Sequence, residues 1–566
     1  MLSKTPSTLA GRLLARAEQD DSPAFIFPDE SLSLTPPQLV LRMRQLAAGL
    51  TSRMDSASVV LICARNTIEL VAAFLGVQHA GFVPALVAPK GNAWATFEER
   101  VTKFLMASQA TTVLLDASHT VEDVLRLQSA LRAARPTVSV RHIAEVSAQG
   151  AAMSTLAHTA GSELAFIQFT SGSVLEPRGV AIKHSNVEAN CLGMAKVHGW
   201  SREDVCLTWL PLYHDMGLVG HFASALIVGS SLVLSDPATF RKRPVSWLKN
   251  ITAYRATISA APHFAYALCA IQIADHHLTG IDLSSWKHAY NGGEPIRRND
   301  LQRFIARFQP YGFNPSAIHP VYGLAETTLA ATFPPLREFV SLNADPDALA
   351  AMRYRPARDP ERTVPVLSVG APLPGHEIRI ESVDCPGQVL AEHEVGHIQI
   401  RGPSVAAGYV PADGESTLSF EGWLNTGDLG FVADGELYIC GRLKDTIKKS
   451  GRNIFASDVE ALALQSGIVA AAVAFEFTHG TEPALGLAAE IHRDSSPEAI
   501  ASINRRIVDV LGVAVDAIWI ISRHDIPKTT SGKPQRRKAR MLAESGAWGL
   551  ALGQVDIPAS IKLRVS

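Results

Sequence analysis

Gln168-Phe169-Thr170-Ser171-Gly172-Ser173-Val174-Leu175-Glu176-Pro177-Arg178-Gly179-Val180 is the stretch whose reading decides the fold. An apolar run, Leu164-Ala165-Phe166-Ile167, enters it as a buried strand would, and Val180-Ala181-Ile182 leaves it. The turn between them holds hydroxyls, glycines, a proline and Arg178. Small residues let a backbone approach a ligand closely, and amides and hydroxyls donate to phosphate oxygens. Arg178 adds a permanent positive charge. Taken alone, the segment also reads as an ordinary Ser/Gly hairpin turn, because these residues mark turns of every kind. It is not a Walker loop, since no Gly-Lys-Ser/Thr follows at the required spacing.

Outward from this turn, strand and helix patterns alternate. On the N-terminal side, helical spacing covers residues 7–20, a hairpin pair is expected at 24–27 and 32–34, and a helix at 39–50. Val59–Cys63 is a continuous apolar run, the mark of a strand covered on both faces. A helix at 67–80, strands at 82–87 and 113–115, and a helix at 121–134 follow, which implies an α/β sheet with parallel crossings. After the turn, Ser185-Asn186-Val187-Glu188 reads as a capping box opening a helix to about Val197. Residues 216–235 are apolar enough to suggest a membrane span, but His221, three glycines and several serines favour a buried helix and strand. Residues 334–369 read as a long, irregular, proline-broken surface loop. A second capping box, Ser457-Asp458-Val459-Glu460, opens a small α/β unit with strands at 471–477, 485–491 and 518–521 and a helix at 497–511.

With 566 residues, 47% of them hydrophobic, the chain can bury several cores. A net charge of −2 argues against a general nucleic-acid binder. Six scattered cysteines include no Cys-x-x-Cys pair, so neither a zinc site nor a disulfide framework is expected, and a reducing cytoplasm suits the pattern. The N-terminus shows no apolar signal core.

Seven further segments fall in order along the chain. They are Trp209-Leu210-Pro211-Leu212-Tyr213-His214-Asp215-Met216-Gly217; Tyr290-Asn291-Gly292-Gly293-Glu294-Pro295; Val321-Tyr322-Gly323-Leu324-Ala325-Glu326-Thr327-Thr328; Val369-Gly370-Ala371-Pro372-Leu373-Pro374-Gly375; Gly422-Trp423-Leu424-Asn425-Thr426-Gly427-Asp428; Gly441-Arg442-Leu443-Lys444-Asp445-Thr446-Ile447-Lys448; and Ile526-Pro527-Lys528-Thr529-Thr530-Ser531-Gly532-Lys533. Singly each has a plain alternative: a turn capper at His214, a turn before a helix at Gly292 and Gly293, a helix-start carboxylate at Glu326, and a basic tail around Lys533. In this order and register they resemble the acyl-adenylate-forming (AMP-binding) superfamily, over nearly the whole chain. The Tyr-His-Asp-Met-Gly segment and the long interval after Glu326 are similar to fatty acyl-AMP ligases within it.

The resemblance implies an α/β fold: a large N-terminal AMP-binding domain over residues 1–443, made of α/β subdomains and a distorted β-barrel, then a small mobile C-terminal lid over 444–543, hinged at Lys444, and a tail over 544–566. It implies ATP-dependent conversion of a fatty acid to acyl-AMP with release of pyrophosphate, then transfer to an acyl carrier protein. Lys533, Thr327 and His214 are the implied catalytic residues, with Thr327 on the α-phosphate. Thr170, Ser171, Gly172, Ser173 and Arg178 are expected at the phosphates. Gly292, Gly293, Glu294, Tyr322 and Gly323 are expected around the adenine, and Asp428, Arg442 and Lys444 on the ribose and hinge side. Glu326 is expected to hold Mg2+. A carboxylate has two oxygens for a vicinal diol, and a hard cation offsets the repulsion between a carboxylate and the triphosphate. No membrane span and no nucleic-acid partner are expected. Val174 and Leu175 depart from the family pattern and weaken the phosphate grip by about 1 kcal/mol. Open alternatives are an acyl-CoA synthetase, an enzyme adenylating another carboxylic acid or an amino acid, in the latter case with Asp215 paired to the substrate ammonium, and a non-catalytic AMP-binding protein that releases no pyrophosphate.

Overall fold

The computed structural model describes residues 8–51, 58–91, 93–151, 162–170, 177–410, 418–419, 422–479, 482–491, 497–529 and 532–549. Two large sheets dominate the N-terminal part. An eight-stranded sheet runs in the order Leu418–Ser419, Gly408–Val410, Arg178–Lys183, Leu164–Thr170, Val83–Val87, Val59–Cys63, Thr112–Leu115, Ser139–His142. Its last five strands are parallel, and Leu164–Thr170 turns back antiparallel into Arg178–Lys183. A seven-stranded sheet runs Ile318–Pro320, His288–Gly292, Ile258–Pro262, Val205–Thr208, Ser231–Leu234, Phe25–Phe27, Leu32–Leu34. It is parallel except for the Phe25–Phe27 and Leu32–Leu34 pair.

These strands form where the apolar pattern places them. Val60, Leu61, Ile62 and Cys63 are fully buried, as a parallel strand covered on both faces requires. The Val121–Ala134 helix begins at a reciprocal cap: Asp123 N–H donates to Thr120 Oγ1 at 3.1 Å, and Thr120 N–H to Asp123 Oδ2 at 2.9 Å. The apolar stretch near His221 is a buried helical segment, Leu218–Ala223 with a π-type turn and Ser224–Val228, followed by the Ser231–Leu234 strand. No helix among the described residues is long and apolar enough to cross a membrane.

The expected capping boxes are absent. The helix after the phosphate turn spans His184–His198, and Lys183 N–H donates to Asn186 Oδ1 at 3.0 Å instead. Glu188 pairs with Arg12. The later helix spans Ala456–Gln465, and Glu460 turns away to Arg536 at 2.8 Å. Both glutamates pair with arginines distant in sequence, and an ion pair competes with a local cap for the same carboxylate.

The expected barrel takes the form of two short antiparallel sheets. One holds Tyr322–Gly323, Ala330–Phe333 and Ala371–Pro372; the other Glu377–Glu381, Gly396–Arg401, Leu424–Ala433 and Glu436–Arg442. Ala331, Val369, Ile380, Ile398 and Ile400 pack between them. The C-terminal part holds the Thr446–Lys449 and Arg452–Phe455 pair, and a sheet of Val469–His479, Glu482–Ile491 and Ala517–Ile521. Its helices are Ala456–Gln465, Pro497–Leu511 and Arg536–Glu544.

Residues 334–369 are not an irregular loop. They form the Ser341–Ala344 and Val364–Leu367 hairpin with the short helix Pro346–Ala350. Ala344, Leu349, Val364 and Val366 share one apolar core with Ile454, Val459, Ile507 and Leu511 of the C-terminal part. The prolines that suggested irregularity sit at permitted places: Pro346 starts the helix and Pro365 lies in a two-stranded pair with an open edge.

Candidate active site

The phosphate turn closes a hairpin. Thr170 and Arg178 face one another across the Leu164–Thr170 and Arg178–Lys183 strands, and both line a cavity of about 2630 Å3. Ser171, Gly172 and Ser173, with Val174 and Leu175, lie outside the described residues. Gln168, in the entering strand, donates from Nε2 to Tyr213 O at 2.9 Å. That bond ties the hairpin to the turn carrying His214 and Asp215. His214 Nδ1 lies 2.7 Å from Asp215 Oδ1, which also accepts from Met216 N–H at 2.7 Å. Asp215 is held below the usual carboxylate range: burial opposes this, and His214, Lys533 and the Met216 amide outweigh it. Its negative charge is thus already faced by the Lys533 ammonium and its Oδ1 lies against the His214 ring, which leaves it poorly placed to receive a substrate ammonium.

The turn after Tyr322–Gly323 is tightly built. A Cβ at Gly323 would lie 1.8 Å from Leu329 O, so only glycine fits. Glu326 sits in the Ala325–Thr327 3-10 turn and lines the cavity. Thr328 follows with φ 70°, a left-handed conformation that costs a β-branched residue about 1–3 kcal/mol. Its Oγ1 donates to Ser404 O at 2.7 Å, and buried Asn190 donates to Ala330 O at 2.8 Å and Ser404 Oγ at 3.0 Å. This lattice holds the strained turn in place.

Two expectations are corrected here. Thr327 is fully buried and off the cavity, and its hydroxyl donates to Leu324 O at 2.9 Å and Leu329 O at 3.1 Å. It closes the turn and is not aimed at a phosphate. Gly292 is also off the cavity: a Cβ there would lie 2.8 Å from Val321 O, so its smallness serves packing between neighbouring strands. Gly293, at φ 81°, and Glu294 do line the cavity. Glu294 accepts from Phe264 N–H, at the start of the His263–Gln272 helix.

Asp428 is buried and lies opposite Arg442 across their strands. Arg442 Nε donates to its Oδ1 at 2.9 Å, and the Tyr322 hydroxyl donates to its Oδ2 at 2.6 Å. Lys444 is exposed, in the Leu443–Asp445 turn joining the barrel-like sheet to the C-terminal part. From that part, Lys533 reaches the same cavity. Burial, and then Arg442, push its ammonium below the usual lysine range, while Asp215, Glu294 and Asp428 pull the other way. Arg536, expected in a basic tail, binds Asp445 at 3.0 Å and Glu460 at 2.8 Å, pinning the Arg536–Glu544 helix beside the Leu443–Asp445 turn.

Behind the cavity, buried His198, His288 and His319 cluster within reach of a common ion. Their geometry serves packing instead. The His198 and His288 rings stack 5.1 Å apart at 20°, so their in-plane lone pairs do not converge. His198 Nε2 lies 2.8 Å from Pro334 O, which only accepts, so Nε2–H donates; Nδ1 then accepts from the Tyr290 hydroxyl at 2.6 Å. Trp200 Nε1 donates to that hydroxyl at 3.0 Å. Burial holds His288 at about 4 and His319 at about 2, so both are neutral near pH 7. The network stiffens Trp200 and Tyr290, which line the cavity.

Sequence reasoning missed Asn190, Gln168 and Tyr409. Tyr409 donates from its hydroxyl to Glu326 Oε1 at 2.6 Å. Gln168 opens the phosphate stretch, but nothing in that pattern signals its bond to Tyr213, and neither Asn190 nor Tyr409 sits in a distinctive local pattern.

Residues 14–410 match the family described as AMP-binding enzyme. The chain is 32% identical to a medium-chain-fatty-acid–[acyl-carrier-protein] ligase, JamA, of Moorena producens, covering 90% of this chain and 89% of that protein. It is 32% identical to a putative acyl-CoA synthetase of Caulobacter vibrioides, covering 90% and 89%. A solved structure from work on fatty acyl-adenylate ligases of E. coli and L. pneumophila matches with TM-score 0.85 and 31% identity, covering 95% of this chain and 98% of that one.

Proposed function

The chain belongs to the AMP-binding enzyme family and activates a fatty acid as its acyl adenylate; on that premise we propose how its residues divide the work and that the acyl group goes to an acyl carrier protein. The observation that carries this reading is the placement of half-buried Lys533 in one cavity with Asp215, Glu294, Asp428 and Arg442.

In the first half-reaction a fatty carboxylate oxygen attacks the α-phosphorus of ATP. The bond to the β-phosphate bridging oxygen breaks, and pyrophosphate leaves. The difficulty is to bring two anions together, so the protein's contribution is positioning and charge. Lys533 places an ammonium between the carboxylate and the α-phosphate. Arg178 and Thr170, with Ser171, Gly172 and Ser173, hold the departing phosphates. Asp428 accepts the ribose hydroxyls, Arg442 keeps that carboxylate oriented, and Gly293 and Tyr322 border the base. His214, oriented by Asp215, faces the reacting carboxyl region. Met194, Gly220, Ala260, Leu329 and Phe333 line an apolar part of the cavity that suits an alkyl chain, with the pinned Trp200 and Tyr290 beside them.

Glu326 fits a magnesium ligand: it is a carboxylate on the cavity wall, and no hydrogen bond to its Oε2 occurs among the described residues. A bound Mg2+ would offset phosphate charge.

In the second half-reaction the carrier's pantetheine thiol, as thiolate, attacks the acyl carbonyl, and AMP leaves with its phosphate oxygen. Lys533 fills the space a pantetheine arm needs, so residues 444–543 rotate about Lys444 between the halves. Fatty-acid-dependent exchange of labelled pyrophosphate into ATP tests the assignment. The native protein is expected to exchange, and Lys533→Ala to fall by about two orders of magnitude. Equal, mild losses in Lys533→Ala and Lys528→Ala would return both lysines to a basic tail.

A further inference from the structure

Tyr409 lies outside every motif described above, in the Gly408–Val410 strand at the edge of the phosphate hairpin. It pairs directly opposite Val180. Its hydroxyl donates to Glu326 Oε1 at 2.6 Å. The backbone of the same segment also holds Glu326, because Ala406 N–H donates to Glu326 O at 2.9 Å. On the other side, the Arg178 guanidinium carbon lies 5.4 Å from the centroid of the Tyr409 ring, within cation–π range. One side chain therefore touches both the candidate metal carboxylate and the phosphate-loop cation.

We propose that Tyr409 is a positioning residue that turns Glu326 so that one carboxylate oxygen, Oε2, is presented to a divalent cation, while its ring seats Arg178 beside the phosphates. The inference rests on the reading of Glu326 as a cation ligand. A freely rotating carboxylate offers either oxygen, or both at once. Committing Oε1 to a phenol enforces single-oxygen binding. That arrangement suits Mg2+, which keeps strict octahedral geometry with waters and phosphate oxygens. It disfavours Ca2+, which is larger and readily takes both oxygens of one carboxylate. Tyr409 thereby tunes which cation is accepted as well as how tightly.

The test compares native protein, Tyr409→Phe and Glu326→Gln over a range of Mg2+ and Ca2+ concentrations. Two quantities are read: the cation concentration giving half-maximal pyrophosphate exchange, and the rise in melting temperature from ATP with cation over ATP alone. A hydroxyl that orients a ligand is worth about tenfold or more in metal affinity. Tyr409→Phe is expected to raise the Mg2+ half-saturation about tenfold, narrow the preference for Mg2+ over Ca2+, and shrink the Mg2+-dependent thermal shift, with less effect on the rate at saturating Mg2+. An unchanged half-saturation and cation preference, with loss only in maximal rate or in the melting temperature without nucleotide, would overturn the inference. Glu326→Gln separates the two levels. If it abolishes cation dependence while Tyr409→Phe leaves it intact, the inference alone fails. If Glu326→Gln itself leaves cation dependence unchanged, the reading of Glu326 fails and the inference with it.

Discussion

Asp347 and Arg452 form an ion pair that joins the segment after the Glu326 turn to the C-terminal part of the chain. Arg362 binds the same carboxylate at 2.7 Å, and Asn453 Nδ2 donates to Ala350 O at 3.1 Å. An exposed ion pair contributes at most about 1 kcal/mol. Burying Leu349 contributes about 2 kcal/mol, so the apolar contact dominates this docking.

Leu349→Ala is therefore expected to loosen the C-terminal part more than Asp347→Ala does, with adenylation retained in both. Limited proteolysis near the Leu443–Asp445 turn reads the loosening, and the yield of acyl-CoA with free CoA reads its consequence. If the segment restrains rotation, both rise together. Faster cleavage with no gain in acyl-CoA would assign acceptor choice elsewhere, with the pocket near His214 next. Excising about twenty residues, a change that surface loops often tolerate, is a poor test here because it would remove residues such as Leu349 from a core shared with the C-terminal part.

The lowered pKa of Lys533 sets an alkaline limit. The ammonium is the useful form, and it loses its proton as pH rises through a value below the usual lysine range. Acyl-AMP formation is expected to decline on that limb. Lys533→Arg should be slower but should keep its charge to higher pH, moving the limb upward. A limb at the same pH in both proteins would mean that another group titrates.

Removing Asp428 leaves the Tyr322 hydroxyl and Arg442 without their acceptor. Asp428→Ala is expected to weaken ATP binding at least tenfold, about 1.4 kcal/mol, read by calorimetry. Tyr322→Phe should cost less, since Arg442 still orients the carboxylate. Unchanged ATP affinity in Asp428→Ala would remove it from the ribose site.

How far the sequence reaches is clearest where it fails. The parallel strands and the order of the site segments follow from apolar runs and glycine-rich turns, and the structure brings Thr170, Arg178, Glu294, Glu326, Asp428 and Lys533 around one cavity. Roles that depend on side-chain direction do not follow. Thr327 lies next to Glu326, yet its hydroxyl turns inward to close the turn. Glu188 and Glu460 sit at capping spacing, but arginines far along the chain take them. Tyr409 has no local signature, because its partner Glu326 is 83 positions away. The docked segment hid for the same reason: its apolar residues face a core completed by the C-terminal part.

Asp458 carries a pH dependence of stability. Burial, and then Glu460, raise its carboxyl from 3.8 to about 7. With the folded pKa above the unfolded one, its stabilising contribution is full below 3.8 and is lost as pH rises to about 7. Asp458→Asn is expected to melt at a higher temperature than the native protein at pH 8, the gap closing toward pH 4. A constant gap across that range would show that Asp458 is not the titrating group.

The most direct test of the whole account is mass spectrometry of the products formed from a fatty-acid panel with ATP and Mg2+, alone, with CoA, and with a pantetheinylated carrier protein. Acyl-AMP and pyrophosphate without an acceptor, acyl-carrier thioester with the carrier, and little acyl-CoA are predicted. Acyl-CoA as the main product while the carrier stays unloaded would contradict the acceptor, and absence of acyl-AMP from every fatty acid would contradict the reaction itself.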